Sequence, residues 1–156
     1  MAHEQHQQGS MQHHYGRLAL MMGVSFIAMY LLMYAMVDRL DNVFNSFNQF
    51  YMAGLMTAAM LVIELALMGG MYHNKKLNAA LWVIGLLALA GFWILTRQQT
   101  AIDDRQFLRS MIPHHAGAIL MCEQASVRDP QIVQLCEEIK ASQRAEIAQM
   151  KSLLKQ

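Results

Sequence analysis

Two adjacent histidines follow a methionine in the stretch "SMIPHHAGAILM", residues 110–121. Imidazole nitrogen and thioether sulfur both bind metals, and thioethers favour Cu(I). The chain has 15 methionines among 156 residues, so a role beyond filling gaps in a core is expected. The stretch therefore predicts either a metal site or a hydrogen-bonded histidine pair in an ordinary helix.

A second polar group lies in "QRAEIAQM", residues 143–150. If the chain turns back near residues 127–129, Met111 lies level with Glu146 and His114 lies level with Gln143. Buried polar groups are costly unless they are bonded, so mutual hydrogen bonds or a shared metal are expected here. Adjacent helical residues point about 100° apart, and the sequence does not decide which of His114 and His115 lies nearer.

The two stretches require two helices that position them. From Asp103 onward apolar residues follow a three-four spacing, and a second such series begins after "RDPQ", where Asp129 can cap and Pro130 can occupy a first turn. Pro113 predicts a kink or a new helix start capped by Ser110. A lone hairpin cannot bury both faces, so pairing with another copy into a four-helix bundle is expected.

The rest of the chain is typical of a membrane protein, with 55% hydrophobic and 15% charged residues. Three runs, residues 18–37, 50–72 and 77–95, are long enough to cross a hydrocarbon core of roughly 30 Å. The sequence thus predicts an all-α membrane protein in which three transmembrane helices precede the amphipathic hairpin. The predicted regions are a flexible tail (1–16), a transmembrane region (17–97) and a hairpin domain (98–156).

Basic residues in the short loops predict the orientation. Arg17 precedes the first run, Lys75 and Lys76 join the second to the third, and only Arg39 lies between the first two. The positive-inside rule then places the N-terminus in the cytoplasm and the hairpin outside, on an inner membrane crossed several times. Membrane lipid is the expected surrounding. The net charge of +1 and the lack of a basic stripe exclude a nucleic-acid partner.

Several further residues are secondary candidates. Glu64 is the only acid well inside a run. It is expected either to be protonated and packed against Ser25 or Thr57 or to bind a cation. Cys122 and Cys136 fall close to level across the hairpin, where packing, a disulfide or thiolate ligation are alternatives. A loose metal-binding arm or a bare tail would account equally for the histidines of the N-terminal segment, which are His3, His6, His13 and His14.

The stretch "DRQFLRSMIPHHAGAI" together with "QRAEIAQM" resembles the domain of unknown function 305 family, over residues 103–156. The resemblance implies a ferritin-like helical bundle and copper handling, because some relatives are implicated in copper binding and tolerance. Two acids that many relatives carry are replaced here by Arg109 and Leu120, which favours a softer His/Met site. The positions that match the motif, and that the resemblance implies as ligands, are Asp104, Met111, His114, His115, Met121, Gln143, Glu146 and Met150.

The favoured function is a membrane-anchored, homo-oligomeric metal-binding protein that sequesters copper, confers tolerance or passes the ion to a transfer partner. Cu(I) is the favoured ion, with zinc or iron as alternatives. A metal-dependent oxidoreductase on a ferritin-like bundle is a second class, and the missing acids and the lack of a nucleophile with its base disfavour an enzyme. A third is a structural membrane assembly protein whose polar groups fix only register and oligomeric state.

Overall fold

A computed structural model describes residues 2–72 and 74–156, with side chains from His14 onward. The described residues form helices and no strands. Short 3-10 turns lie at Met33–Met36, Leu40–Asn42 and Gly69–Met71. The five α-helices are α1 (Ala2–Leu32), α2 (Phe47–Met68), α3 (Lys75–Gln98), α4 (Asp104–Gln124) and α5 (Pro130–Leu153).

Three helices are long and apolar enough to cross a membrane. They cover His14–Met36, Phe47–Met71 and Lys75–Gln98. The first two helices each contain an expected run except for its last residue, and the third contains the whole run of residues 77–95. The predicted all-helical architecture with three candidate spans is therefore confirmed at this level. The runs were recognisable because apolar stretches of this length with at most one charged residue have few other uses.

The chain divides into two compact units, of which the first comprises α1 through residue 31 together with residues 50–100. Its buried cluster consists of Leu18 on α1, Leu65 on α2 and Tyr72, which follows the turn after α2. Gly54 is a further contact point, because a Cβ atom there would lie 2.5 Å from Cζ of Phe92. The absence of a side chain at Gly54 thus lets the ring of Phe92 reach the backbone of α2.

The second unit comprises residues 32–49 and 101–156, and α4 and α5 form a helical hairpin within it. Asp103 caps α4 by accepting a hydrogen bond from Gln106 N (2.7 Å). Asp129 caps α5 by accepting from Gln131 N (2.8 Å) and Ile132 N (3.3 Å), and Pro130 is the first helical residue. The predicted Asp129 cap and the break before α5 are confirmed, and the Asp103 cap is an addition from the structure.

A small apolar core holds the hairpin together. Ile112, Ala116 and Ile119 on α4 pack with Ile147 and Met150 on α5. Both large isoleucines of α4 are almost completely buried, and burial of such a side chain contributes about 1.5–3 kcal/mol. The core is thus built from the apolar face that the three-four spacing predicted.

The connection between α1 and α2 also packs against the hairpin. Val37 and Phe44 lie against the hairpin core, and a Cβ atom at Gly117 would lie 3.4 Å from Met36 O. The sequence assigned this connection to the transmembrane region, whereas in the structure residues 32–49 form one unit with residues 101–156. The difference arises because a few apolar residues in a polar connection cannot be assigned to a partner from hydropathy alone.

Pro113 does not start a new helix, which corrects one of the two outcomes expected for it. α4 continues without interruption through Pro113. Ser110 is not a cap, because its hydroxyl donates to Phe107 O (2.9 Å). A single lost backbone hydrogen bond is tolerated where packing on both sides holds the helix.

Candidate functional site

His115 is the central residue of the candidate site. It lies on α4 with 9% of its surface exposed. Its Nδ1 lies 2.9 Å from Met111 O, one turn earlier on the same helix, and its Nε2 lies 2.7 Å from Oε2 of Glu146 on α5. Both ring nitrogens are therefore bonded, one within α4 and one across the hairpin.

Glu146 has a second partner on its own helix. Ser142 Oγ donates to Oε1 at 2.6 Å, so that each carboxylate oxygen accepts one hydrogen bond. The Ser142 hydroxyl, followed by His115, lowers the pKa of Glu146 below its usual value of 4.5. The carboxylate is thus negatively charged at neutral pH.

A backbone carbonyl can only accept a hydrogen bond, so the Nδ1 atom that faces Met111 O is the donor of that contact. The contact between Nε2 and Glu146 is a further hydrogen bond, which joins the two helices of the hairpin.

The ring is held as metal-binding histidines are usually held. A ligating histidine commonly donates its other N–H to a carbonyl or carboxylate, which fixes the tautomer and the orientation of the ring. The hydrogen bond from Nδ1 to Met111 O does this here, so that Nε2, which faces Glu146, is the ring atom that could bind an ion. The donor set of one imidazole and one carboxylate fits Zn²⁺ and Cu²⁺, and the addition of a thioether would suit Cu(I).

The observed contact across the hairpin differs from the pairing by level. The pairing by level placed Met111 opposite Glu146, whereas the Glu146 carboxylate contacts His115, which lies one turn further along α4. Helical side chains point back toward the N-terminus of their own helix. On antiparallel helices His115 and Glu146 therefore lean toward each other, although their backbones are not level.

The other residues implied by the motif are spread along the hairpin. His114 is exposed, with its ring centroid 6.0 Å from that of His115. Met111 lies against the hairpin core, and Met150 is part of it. Met121 is 59% exposed. The structure places Gln143 half-buried on α5 and Asp104 exposed at the start of α4.

No larger ligand cluster forms within the part of the chain that the structure describes. Among those residues, no group of three or more His, Cys, Asp and Glu side chains is arranged to hold a metal ion. Within one copy, the imidazole and carboxylate that contact each other are those of His115 and Glu146. Further ligands for an ion there could come from the neighbouring His114, thioethers, amides, water or groups of a second copy.

The secondary candidates lie apart from this pair. Cys122 and Cys136 are free thiols on facing helices of the hairpin, and the interaction with Cys136 is the main cause that raises the pKa of Cys122. Glu64 accepts a hydrogen bond from the Tyr72 hydroxyl (3.1 Å), while the Thr57 hydroxyl donates to Ala53 O (2.8 Å). Tyr72 is thus the hydrogen-bond partner of Glu64.

The N-terminal histidines are described only in part. The structure places His14 half-buried at the start of the first candidate span. The side chains of His3, His6 and His13 lie outside the described residues. The predicted tail therefore stays a prediction.

Ser142 is a residue of the site that sequence reasoning missed. It precedes Glu146 by four positions, which places both on one face of α5. That spacing was visible in the sequence and could have identified the hydroxyl as a partner of the carboxylate.

Comparison with known proteins supports the resemblance seen in the motif. A family model described as "Domain of unknown function (DUF305)" matches residues 2–154. The chain belongs to the DUF305 family. The match reaches well beyond residues 103–156, so the candidate spans are included in the DUF305 homology.

One curated relative of this DUF305 protein is the uncharacterized protein L153 of Acanthamoeba polyphaga mimivirus. The two are 34% identical over 140 residues, which cover 88% of this chain and 90% of the viral protein. No solved structure matches the chain. The relative shares nearly the full length, and its description assigns no activity.

Proposed function

We propose that this DUF305 protein is a membrane-anchored metal-binding protein that takes up copper at His115 and Glu146. The observation that carries the proposal is the oriented imidazole, whose Nδ1 is bonded to Met111 O and whose Nε2 faces the Glu146 carboxylate. Metal binding at Nε2 would replace the direct contact with Glu146, and histidine ligands in general bind metal ions less well as the pH falls.

Copper is the preferred cargo because it accepts every donor type of the motif. Imidazole suits Cu²⁺ and Cu(I), the carboxylate suits Cu²⁺, and thioether suits Cu(I). Met111, beside the hairpin core, and the exposed Met121 add soft donors on α4. The methionine content keeps Cu(I) as the favoured state, and zinc and iron remain competitors for the imidazole and carboxylate.

Two carboxylate and imidazole donors are few for a protein metal site, which suggests that a second copy completes the coordination. The hairpin leaves large apolar side chains exposed, among them Phe107, Ile132 and Leu135. Pairing of two hairpins into a ferritin-like four-helix bundle would cover them and bring two His115–Glu146 pairs into one assembly.

The membrane location rests on the three candidate spans. The basic residues of the short connections favour a cytoplasmic N-terminus and a hairpin on the periplasmic or extracellular face of the inner membrane. There the protein would sequester copper or pass it to a partner protein, protecting the cell from free ions.

The test is copper binding by the full-length protein in detergent, measured in competition with a Cu(I) chelator. We expect Glu146→Gln, and His114→Ala combined with His115→Ala, to lower the affinity by at least about tenfold. Glu138→Gln is the matched control, because Glu138 is an exposed carboxylate on the same helix that accepts from Gln134. Circular dichroism checks that each variant keeps its helices.

Equal copper affinity in all four proteins would overturn the proposal. A structural role is the second candidate, because a charged contact between two helices also fixes their register. It predicts that Glu146→Gln changes the stability or oligomeric state while copper binding is absent from the wild-type protein as well.

A further inference from the structure

A basic groove lies on the hairpin unit, away from His115 and Glu146. It has a volume of about 430 Å³ and is lined by four cationic side chains, which are Arg105 and Arg109 on α4, Lys151 in the last turn of α5 and Lys155 just after that helix. Residues four positions apart lie on one face of a helix, so Arg105 and Arg109 point the same way. The groove thus gathers like charges from two helices.

Only one of these charges has a partner in the groove. Lys151 Nζ lies 2.8 Å from Oδ2 of Asp41, the single carboxylate among the lining residues. Within the described chain, no carboxylate lies within ion-pair distance of Arg105, Arg109 or Lys155. Three cationic groups of the groove are therefore free to meet an external anion.

The two arginines carry like charges on one face of α4. Arg105 lies in the first turn, where Asp103 and Asp104 supply the negative charge that the helix dipole favours. Arg109 follows at a spacing at which like charges destabilise a helix. A bound anion would offset this repulsion.

Two apolar side chains also line the groove. They are Phe44 and Leu154, and both pack against the hairpin core, which keeps them in place. A groove lined by cationic and apolar side chains suits a ligand that has a negative group attached to an apolar body. A simple inorganic anion would contact the cationic side chains and leave the apolar ones uncovered.

Chain connectivity keeps this groove near the ends of the candidate spans. Phe44 precedes the span that begins at Phe47 by three residues, which reach at most about 10 Å, and Asp41 follows the span that ends at Met36 by five. Phosphates of anionic lipids attract basic groups close to the membrane surface. This step depends on the proposed membrane location and is independent of copper.

We propose that the groove formed by Arg105, Arg109, Lys151 and Lys155 binds the phosphate group of an anionic phospholipid. The guanidinium groups contact the phosphate, since their planar donors match its oxygens. Phe44 and Leu154 contact the glycerol and the first part of the acyl chains. The bound lipid fixes the hairpin unit to the membrane surface.

The test uses the full-length protein in a neutral detergent with three probes: phosphatidylglycerol, phosphatidylcholine and inorganic phosphate. Native mass spectrometry measures retained lipid, and thermal unfolding measures stabilisation by each probe. We expect phosphatidylglycerol to be retained and to stabilise, and phosphatidylcholine to do neither. Arg105→Gln combined with Arg109→Gln should weaken phosphatidylglycerol binding at least about tenfold.

The control pair is Arg97→Gln with Arg128→Gln, which removes the same charge at exposed positions outside the groove. It should change binding by less than about twofold. Asp41→Asn is a reciprocal variant, because removal of the one lining carboxylate should strengthen binding. Equal loss in the groove and control pairs, or equal retention of the two lipids, would overturn the proposal.

The inorganic phosphate arm separates the two sources of the phosphate group. Stabilisation by inorganic phosphate that matches phosphatidylglycerol and is lost in the groove variant would overturn the lipid source and keep a phosphate site. Glu146→Gln should bind phosphatidylglycerol like the wild-type protein. A failure of copper binding is therefore distinguishable from a failure of lipid binding.

Discussion

His115 Nε2 lies 2.7 Å from Oε2 of Glu146 and joins the two helices of the hairpin through a charged hydrogen bond. The imidazole is almost buried, whereas 45% of the Glu146 side chain is exposed. A pair with one buried and one exposed member is open to both protons and ions from solvent. Its response to pH and to substitution is therefore measurable.

The acid stability of the hairpin should depend on Glu146. Its folded-state pKa is lowered from 4.5, so its stabilising effect is complete above about pH 4.5 and is lost as the pH falls through the lowered pKa. We expect Glu146→Gln to flatten the decline of the thermal midpoint with acid. Unfolding is followed by circular dichroism between pH 7 and about pH 3.

Glu138→Gln is again the control, and it should keep the acid dependence of the wild-type protein. Identical pH profiles for Glu146→Gln and the wild-type protein would show that the contact with His115 contributes nothing to folding.

Cys122 and Cys136 should form a disulfide under mild oxidation. The two thiols interact across the hairpin, and a disulfide would close the loop between the end of α4 and the start of α5. Cross-linking a loop of this length stabilises by about 3 kcal/mol in the chain-entropy estimate. The reaction is measured as the loss of two hydrogens by intact mass spectrometry, with Cys136→Ser as control.

The reaction rate should rise with pH, because the thiolate is the nucleophile and the pKa of Cys122 is raised above 9.0. An unchanged mass after oxidation at alkaline pH would contradict the contact. A disulfide between copies would appear instead as a dimer on a non-reducing gel.

Gly54→Ala should destabilise the first unit. The added Cβ atom would lie 2.5 Å from the ring of Phe92, which also packs edge-on against Phe50 at 6.1 Å between ring centroids. Overpacking of this kind costs about 1–3 kcal/mol. The thermal midpoint in detergent, measured by circular dichroism, should fall.

Gly23→Ala is the matched control, because nothing lies within 4 Å of a Cβ atom there. Alanine is the better helix former, so this variant should be neutral or slightly more stable. A similar effect of the two substitutions would contradict the close packing at Gly54.

The proposed pairing of hairpins should depend on the exposed apolar residues of α5. Ile132 and Leu135 are 47% and 52% exposed and lie three positions apart on one face. Ile132→Asp with Leu135→Asp should convert the assembly to single copies and keep the helices. Native mass spectrometry of the detergent-solubilised protein measures the number of copies.

Gln124→Asp with Gln131→Asp adds the same charge at exposed polar positions and should leave the number of copies unchanged. A wild-type protein that is already a single copy would refute the pairing.

The helices could be predicted from the sequence with small errors, and parts of the site could not. Asp129 and Pro130 identified the start of α5 because capping depends on neighbours in the chain. The packing of Phe44 on the hairpin core joins residues far apart in sequence, and no local pattern encodes it. The choice between His114 and His115 was likewise open, since both satisfy the same spacing.

The sequence by itself determined the helical class, the three apolar runs, the hairpin and the polar residues at its centre, because these follow from composition, periodicity and local capping. The tertiary structure alone decided that Glu146 meets His115, and that Arg105 and Arg109 share a groove with Lys151 and Lys155. Such contacts depend on the direction in which side chains lean and on the register of two helices. Neither quantity is a property of any single segment.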